Sequence, residues 1–450
     1  MAEELPPLDL ARPEVGPEEE RLVLEVLRSG RLSLGPVLER FERDFAEWLG
    51  VDDAVAVSSG TAGLHLGVRA LGWQAGDEVV LSPFTFVASA NCLLYEGVKP
   101  VFADIDPVSL NLDPSAAEAA ITGATVGLLP IDIFGQPAEL PAFERIARSR
   151  GLGILEDSCQ ALGAIDSEGR KVGSRGNVST FAFYANKQMT TGEGGIVIPT
   201  DAGMAKVLRS ERNQGRAIDM DWLDHDRLGF NYRMSDVTAA IGVAQLGRLD
   251  ELLAGRARVA GLYLDRLAGV EGLELPAPDR PPAKRSWFVF PVRLPEGSDR
   301  DGVIRKLGEQ GIPAKAYLPS IHLFPHLAEL GYREGQFPVA ESVAARSLAL
   351  PFHAGLSEGD IDRVASALAD ALGSGAYQRR GKTHRQVDFT LPRAAGSPFL
   401  AAEPVDRFRP PSGPLRRRPV PGPCRGPEPD RRDRRRRDQG DRRGPGPDRR

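Results

Sequence analysis

Cysteine is scarce: the 450 residues hold three, Cys92, Cys159 and Cys424. An odd number at such wide spacing makes neither a disulfide framework nor a metal-ligand set, and it suits a reducing compartment. The chain also lacks any apolar run near the ~20 residues of a membrane span. Its start, MAEELPPLDL, has neither the basic nor the apolar region of a secretion signal. These absences lead to the expectation of a cytoplasmic protein with no metal and no membrane partner. No internal repeat is visible.

What is present is ordinary in bulk and uneven in distribution. Hydrophobic residues make up 41% and charged residues 26%, the mix of a globular chain. A chain of 450 residues is too long for one core, so two or more domains are expected. The formal net charge of −5 hides two unlike parts. Residues 1–375 carry 36 Lys and Arg against 53 Asp and Glu, whereas residues 376–450 carry 21 against 9. The second part loses hydrophobic periodicity and is dominated by Arg, Pro, Gly and Asp. Such a composition cannot bury enough apolar surface to offset its conformational entropy, so it reads as a disordered tail. It has almost no lysine and few aromatic residues to stack on bases, which argues against a nucleic-acid partner. A plain appendage, a basic arm and an out-of-frame translation of GC-rich DNA all stay open as readings of it.

Before the tail, short apolar runs alternate with helical stretches. Residues 18–29 and 36–49 read as amphipathic helices, the second with Pro36 near its first turn. Strands are expected at 54–59, 78–83, 100–105, 126–133, 153–158, 179–185 and 194–199, with helices between most of them. Runs apolar on both faces imply an α/β fold with a mostly parallel central sheet flanked by helices. A long helix over 234–269 would lead to a smaller C-terminal α/β domain. The division expected is 1–250, 251–375 and the tail 376–450. In such folds a ligand sits at the carboxyl ends of the strands.

Three groups converge on that edge. Ser58-Ser59-Gly60-Thr61-Ala62-Gly63 joins a strand to a helix, where small residues and a helix N-terminus favour an anion. Taken alone it is equally a plain turn. Asp157, in GILEDSCQ, ends a strand; a carboxylate there is either a helix cap or the partner of a ligand's positive nitrogen. Lys187, in FAFYANKQMTTGEGG, follows the next strand, where a buried lysine can become a nucleophilic amine. An anion cradle, an aspartate and a lysine at one sheet edge together describe a site for pyridoxal phosphate.

The segments SSGTAGLHL, PFTFVASANCLLYEGVKPVFADID, GILEDSCQALGA, FAFYANKQMTTGEGG and LGFNYRMSDVTAAIG occur in this order. In them the chain resembles the DegT/DnrJ/EryC1/StrS family of sugar aminotransferases, of aminotransferase fold type I, over roughly residues 8–372. The resemblance implies roles. Lys187 would carry the cofactor and move the proton in the 1,3-shift. Asp157 would keep the pyridinium nitrogen protonated, Gln160 would bond the ring hydroxyl and Phe86 would stack on the ring. Thr61 and Ala62 would bind the phosphate. Asn231 would reach the phosphate in a neighbouring subunit, which implies a homodimer with shared sites. Arg233 would contact a substrate anion, and His322 would line the sugar pocket. The reaction implied moves an amino group from L-glutamate, or glutamine, to a nucleotide-linked keto-sugar, for polysaccharide, glycan or antibiotic assembly.

The chain departs from the family at Ala182, where many relatives carry a phosphate-binding serine; Ser179 or Thr180 could substitute. It departs again at Asp132, where a histidine is common and to which no role is assigned. Two rival readings are a pyridoxal phosphate-dependent sugar dehydratase, which typically lacks the lysine, and a non-enzymatic binding protein on the same fold. His65, on an apolar helix, reads as a packed core histidine.

Overall fold

Proline and glycine set the helix ends before packing acts on them. Helices α1 (Pro17–Ser29) and α2 (Pro36–Leu49) both begin on proline, which lacks an amide proton that this position would leave unbonded. Each ends on a glycine in the left-handed region, Gly30 and Gly50. The structure is a computed structural model describing residues 6–217 and 224–373. The stretch 376–450, and with it the expected disorder and Cys424, lies outside the described residues.

After α2 the chain alternates: β1 (Val55–Val57), α3 (Gly60–Ala70), β2 (Glu78–Leu81), α4 (Ala88–Leu94), β3 (Lys99–Phe102), α5 (Pro114–Ala119), β4 (Thr125–Leu129), α6 (Leu140–Arg150) and β5 (Gly153–Asp157). Then come β6 (Val178–Ala182), β7 (Gly195–Ile198) and α7 (Ala202–Arg212). The seven strands form one sheet in the order β1-β7-β6-β5-β4-β2-β3. Strand β7 pairs antiparallel with both neighbours, and the remaining pairings are parallel. The expected mostly parallel α/β sheet is therefore present.

Two apolar layers cover the sheet. Val57, Leu64, Leu81, Leu155 and Val197 belong to the layer that holds α3. Phe41 and Phe45 of α2 pack with Phe181 and Phe183 in another. The alternation along β6 assigns its side chains to these layers. The Thr180 methyl meets Gly63 of α3, while Ser179 and Phe181 face Gly173 on the opposite side.

Some expected elements are shorter or broken. The strand expected over 126–133 stops at Leu129, because Pro130 cannot donate to a ladder; a single 3-10 turn follows at Ile133–Gly135. The single helix expected over 234–269 is two, α8 (Asp236–Gly247) and α9 (Leu249–Leu267). They part at Arg248, whose φ −123° and ψ 20° lie outside the helical well, just after the helix-weakening Gly247. At the start of α8, Ser235 is the cap, accepting from the Thr238 amide at 3.1 Å. Asp236 instead caps α2, accepting from the amides of Gly35 at 2.8 Å and Val37 at 3.1 Å.

Beyond α9 lie β8 (Phe290–Arg293), α10 (Arg300–Glu309), α11 (Pro325–Ala328), α12 (Pro338–Arg346), β9 (Ser347–Leu350) and α13 (Glu358–Ala371). Strands β8 and β9 form a separate antiparallel pair. It has its own core, with Tyr263, Phe290, Leu307, Leu350 and Leu368. Among the described residues no helix is long and apolar enough to cross a membrane, and no group of His, Cys, Asp and Glu could hold a metal ion.

Candidate active site

Strands β5 and β6 run parallel and side by side, so Asp157 and Ala182 end at one edge of the sheet. Asp157 is buried, 6% exposed, and its register partner on β6 is Thr180. Its Oδ2 accepts from the Ser89 hydroxyl at 2.6 Å, and its Oδ1 from the Cys159 amide at 3.1 Å. Ser89 is in turn bonded to Thr85 at 3.1 Å. These donors are neutral, and among the described residues no cation pairs with this carboxylate. A buried carboxylate met only by neutral groups is costly, which makes it a waiting partner for a positive charge.

Lys187 stands five residues past the end of β6 on a turn. It is half-buried, with Nζ 4.1 Å from the centre of the Phe288 ring and no carboxylate bonded to it among the described residues. Burial pulls its amine below the usual lysine range, against the pull of Cys159 and Asp157, which favour the charged form. Asp157 is thus close enough for its charge to act on Lys187.

The helix α3 points its N-terminus at the same edge. Its amides at Ala62 and Gly63 are already taken by Ser59, through the hydroxyl and the carbonyl, both at 3.1 Å. Those of Gly60 and Thr61 carry no hydrogen bond among the described residues. So the free amides are those of Gly60 and Thr61, and Ala62 contributes a side chain without its N–H. Glycine at 60 is required by proximity: a Cβ there would lie 2.6 Å from that of Ala182 and 3.0 Å from Cys159 Sγ. Ala182 therefore faces the mouth of the cradle, where a serine would add a hydroxyl. Ser179 cannot substitute, because it lies on the other face of the sheet. Thr180 faces α3, and its hydroxyl is buried without a partner among the described residues.

Gln160 is buried, and its Oε1 accepts from the Phe134 amide at 2.9 Å. That bond fixes the amide so that Nε2 is the end left to donate. Phe86 is 59% exposed, so its ring is open to a planar ligand. Asn231 is exposed and Arg233 half-buried; Arg233 pairs with Val57 across an isolated bridge and donates to Asn213 Oδ1 at 3.0 Å. Both thus lie beside the end of β1, next to the cradle. His322 is placed differently. It is fully buried between Phe102 and Phe337, with Nε2 3.2 Å from Glu341 and Nδ1 unpartnered among the described residues. Burial lowers its basicity. The ring packs rather than lines a surface, and it supports the 320–323 turn that bonds back to Pro83 and Phe84. His65 is the packed histidine expected, bonded to Tyr232 at 3.0 Å and Glu96 at 2.7 Å.

The residues to which the sequence assigned no role are Ser89, Asp132 and Glu156. Ser89, the second residue of the short helix α4, gives no signal of its own in the sequence. Asp132, three residues past the end of β4, and Glu156, in β5, are buried carboxyls with Oδ2 and Oε2 unpartnered among the described residues. Burial pushes Asp132 up to about 7 and raises Glu156 as well. A carboxyl raised from 3.8 to about 7 on folding contributes stability that is fully present below about pH 4 and is lost as pH rises through 7. Asp132→Asn keeps an oxygen for the Ala138 amide but cannot ionise. Its melting temperature should fall less between pH 4 and pH 8 than that of the wild type, in a thermal scan across buffers. Equal slopes would contradict the assignment.

A buried carboxylate for a pyridinium nitrogen, a partly desolvated amine, a free amide donor and a helix N-terminus with open amides fit pyridoxal phosphate. The comparisons agree. Residues 13–369 match the DegT/DnrJ/EryC1/StrS aminotransferase family. GDP-perosamine synthase of Caulobacter vibrioides is 38% identical over 378 residues, spanning 82% of this chain and 99% of that protein. The crystal structure of DesV from S. venezuelae, in complex with a ketimine intermediate, is 36% identical with a TM-score of 0.74, covering 78% of this chain and 94% of that one. Spr1654 from Streptococcus pneumoniae, solved in a PMP form, is 25% identical with a TM-score of 0.78, covering 82% and 98%. The chain belongs to the DegT/DnrJ/EryC1/StrS aminotransferase family, as a sugar aminotransferase whose cofactor is pyridoxal 5′-phosphate.

Proposed function

We propose that the chain transfers the amino group of L-glutamate to the keto group of a nucleotide-linked sugar, giving an amino sugar. The observation that carries this reading is the pair Asp157 and Lys187: a buried anion and a partly buried cation, at one sheet edge, neither matched by an opposite charge in hydrogen-bond contact among the described residues. The nucleotide-linked acceptor is supported by the relative from Caulobacter vibrioides, which is named for a GDP-linked product.

When bound, pyridoxal phosphate supplies an electron sink that lets nitrogen leave one carbon and join another. The residues do the rest. Lys187 would hold the cofactor through its amine and, when its amine is free, would accept and return the proton that moves in the reaction. Burial lowers its basicity, which favours the neutral, nucleophilic amine. Asp157 would keep the ring nitrogen protonated, and Ser89 and the Cys159 amide hold that carboxylate in place. Gln160 would donate from Nε2 to the ring hydroxyl. Gly60 and Thr61 would bind the phosphate from the end of α3, and Phe86 would cover the ring. In this reading the enzyme is a cytoplasmic homodimer, Asn231 reaches the partner's phosphate site, and Arg233 meets a substrate anion.

The test is an absorbance spectrum of the purified chain, before and after L-glutamate, followed by a screen of nucleotide-linked keto-sugars. A visible band that glutamate bleaches, and that one keto-sugar restores with formation of its amine, is the expected result. A band that L-glutamate and L-glutamine both leave unchanged would overturn the donor assignment. Loss of a sugar hydroxyl without gain of nitrogen would favour the dehydratase.

A further inference from the structure

The segment that carries Lys187 belongs to no helix or strand, so side chains from elsewhere must hold it. On one side Gln188 does so: its Nε2 donates to the Gln160 carbonyl at 2.6 Å and to the Ser286 carbonyl and hydroxyl at 3.2 Å each. On the other side stands Arg256, in the second turn of α9. It is only 5% exposed. Its Nη2 donates to the carbonyls of Lys187 at 2.8 Å and Asn186 at 3.4 Å, and its Nη1 to that of Phe288 at 3.1 Å. The guanidinium also lies 5.8 Å from the centre of the Phe352 ring. Among the described residues no carboxylate bonds to it.

An arginine buried against neutral acceptors is expensive to keep, and leucine or methionine would fill the same space more cheaply. The fork has a particular use here. It joins the main chain of Lys187 to the main chain of Phe288, and Phe288 is the residue whose ring the Lys187 ammonium faces at 4.1 Å. We propose that Arg256 is a positioning residue for Lys187: by bridging the carbonyls of Lys187 and Phe288 it sets the distance and direction from which the reactive amine approaches its target. Its charge works to the same end. The groups acting on the Lys187 ammonium are Cys159 and Asp157, which favour it, and burial and Arg256, which disfavour it. Burial likewise lowers Arg256 itself, to about 10.

The proposal rests on Lys187 being the reactive amine, so the test separates the two. Full-length chain stripped of cofactor is labelled with trace acetic anhydride across a pH series, and Lys187 acetylation is read by mass spectrometry. Two variants divide charge from geometry. Arg256→Gln removes the cation, and Lys187 labelling at pH 8 should fall about threefold as its ammonium gains favour. Arg256→Lys keeps the cation but loses the fork. Its labelling should match wild type, while kcat falls about tenfold at unchanged KM for the donor, the signature of a misplaced group. Wild-type labelling in the Gln variant, or full kcat in the Lys variant, overturns the proposal. If the Gln variant does not fold, the kcat and KM of the Lys variant decide. A wild type without turnover would sink the aminotransferase reading, and the labelling arm would still report on Arg256.

Discussion

A Lys187→Ala chain is expected to lose sugar transamination entirely and to stay folded. The loss follows from chemistry that no neighbour can supply. Among the described residues Lys187 is the amine at this sheet edge, and burial already favours its neutral, nucleophilic form. The persistence of the fold follows from what the side chain does when nothing is bound. It faces the Phe288 ring, a contact worth about 0.5–1 kcal/mol at a partly exposed site. Against this stands the cost of its desolvation, which the substitution removes. The bond from Arg256 goes to the carbonyl of residue 187 and survives the change. Three measurements check the expectation: turnover, the melting temperature, and the mass of peptide 181–195 after borohydride treatment with pyridoxal phosphate. Wild type should gain the reduced cofactor on Lys187 and the variant should not. Retained turnover, or an adduct on a different lysine, would remove the central assignment.

Asp157→Asn should slow catalysis strongly without abolishing it, and should leave the protein folded. Asparagine has the same shape and can still accept from the Cys159 amide, while the Ser89 hydroxyl can rotate to accept from the new NH2. What disappears is the charge. A hydrogen bond to a charged group contributes about 1.5–3 kcal/mol. If that difference is expressed while the electron sink is in use, the rate falls by about 10- to 150-fold. The buried carboxylate, unneutralised in the structure described, also costs stability until its partner arrives. The cofactor-free variant should therefore melt no lower than cofactor-free wild type. Ser89→Ala, which leaves the charge and removes one of its donors, should cost less in kcat. Should Asp157→Asn match wild type in kcat and in the rate of cofactor loss, Asp157 is a structural cap and not the charge partner.

The parts of this protein that can be read one stretch at a time were legible. Apolar runs broken by Gly and Pro place the strands, and prolines and glycines at helix ends place α1 and α2 within a residue or so. The convergence of residues at strand ends was legible for the same reason. In a parallel sheet every strand of one direction ends at the same edge, so Asp157 and the residues after Ala182 must come together once the strands are recognised. Errors arose where the deciding contact is distant. The helix expected over 234–269 gives no hint that Asp236 serves a helix about 200 residues earlier in the chain. Ser179 and Thr180 look interchangeable as hydroxyl donors, yet the pleat sends them to opposite faces. His322 sits in a segment that resembles a pocket wall, yet packing closes aromatic rings over it.

By itself, then, the order of residues determined the α/β class and the convergence of Lys187 and Asp157 on one edge of the sheet. These follow from periodicity, turn chemistry and the common direction of parallel strands, all of which act over short spans. Only the tertiary structure decided that Ser89 holds Asp157, that Gln188 and Arg256 hold Lys187, and that the free amides of the cradle are those of Gly60 and Thr61. The reason is physical. A hydrogen bond between Arg256 and the carbonyl of Lys187 leaves no trace in either local sequence, because a main-chain acceptor is the same in every residue and its donor arrives on a separate helix.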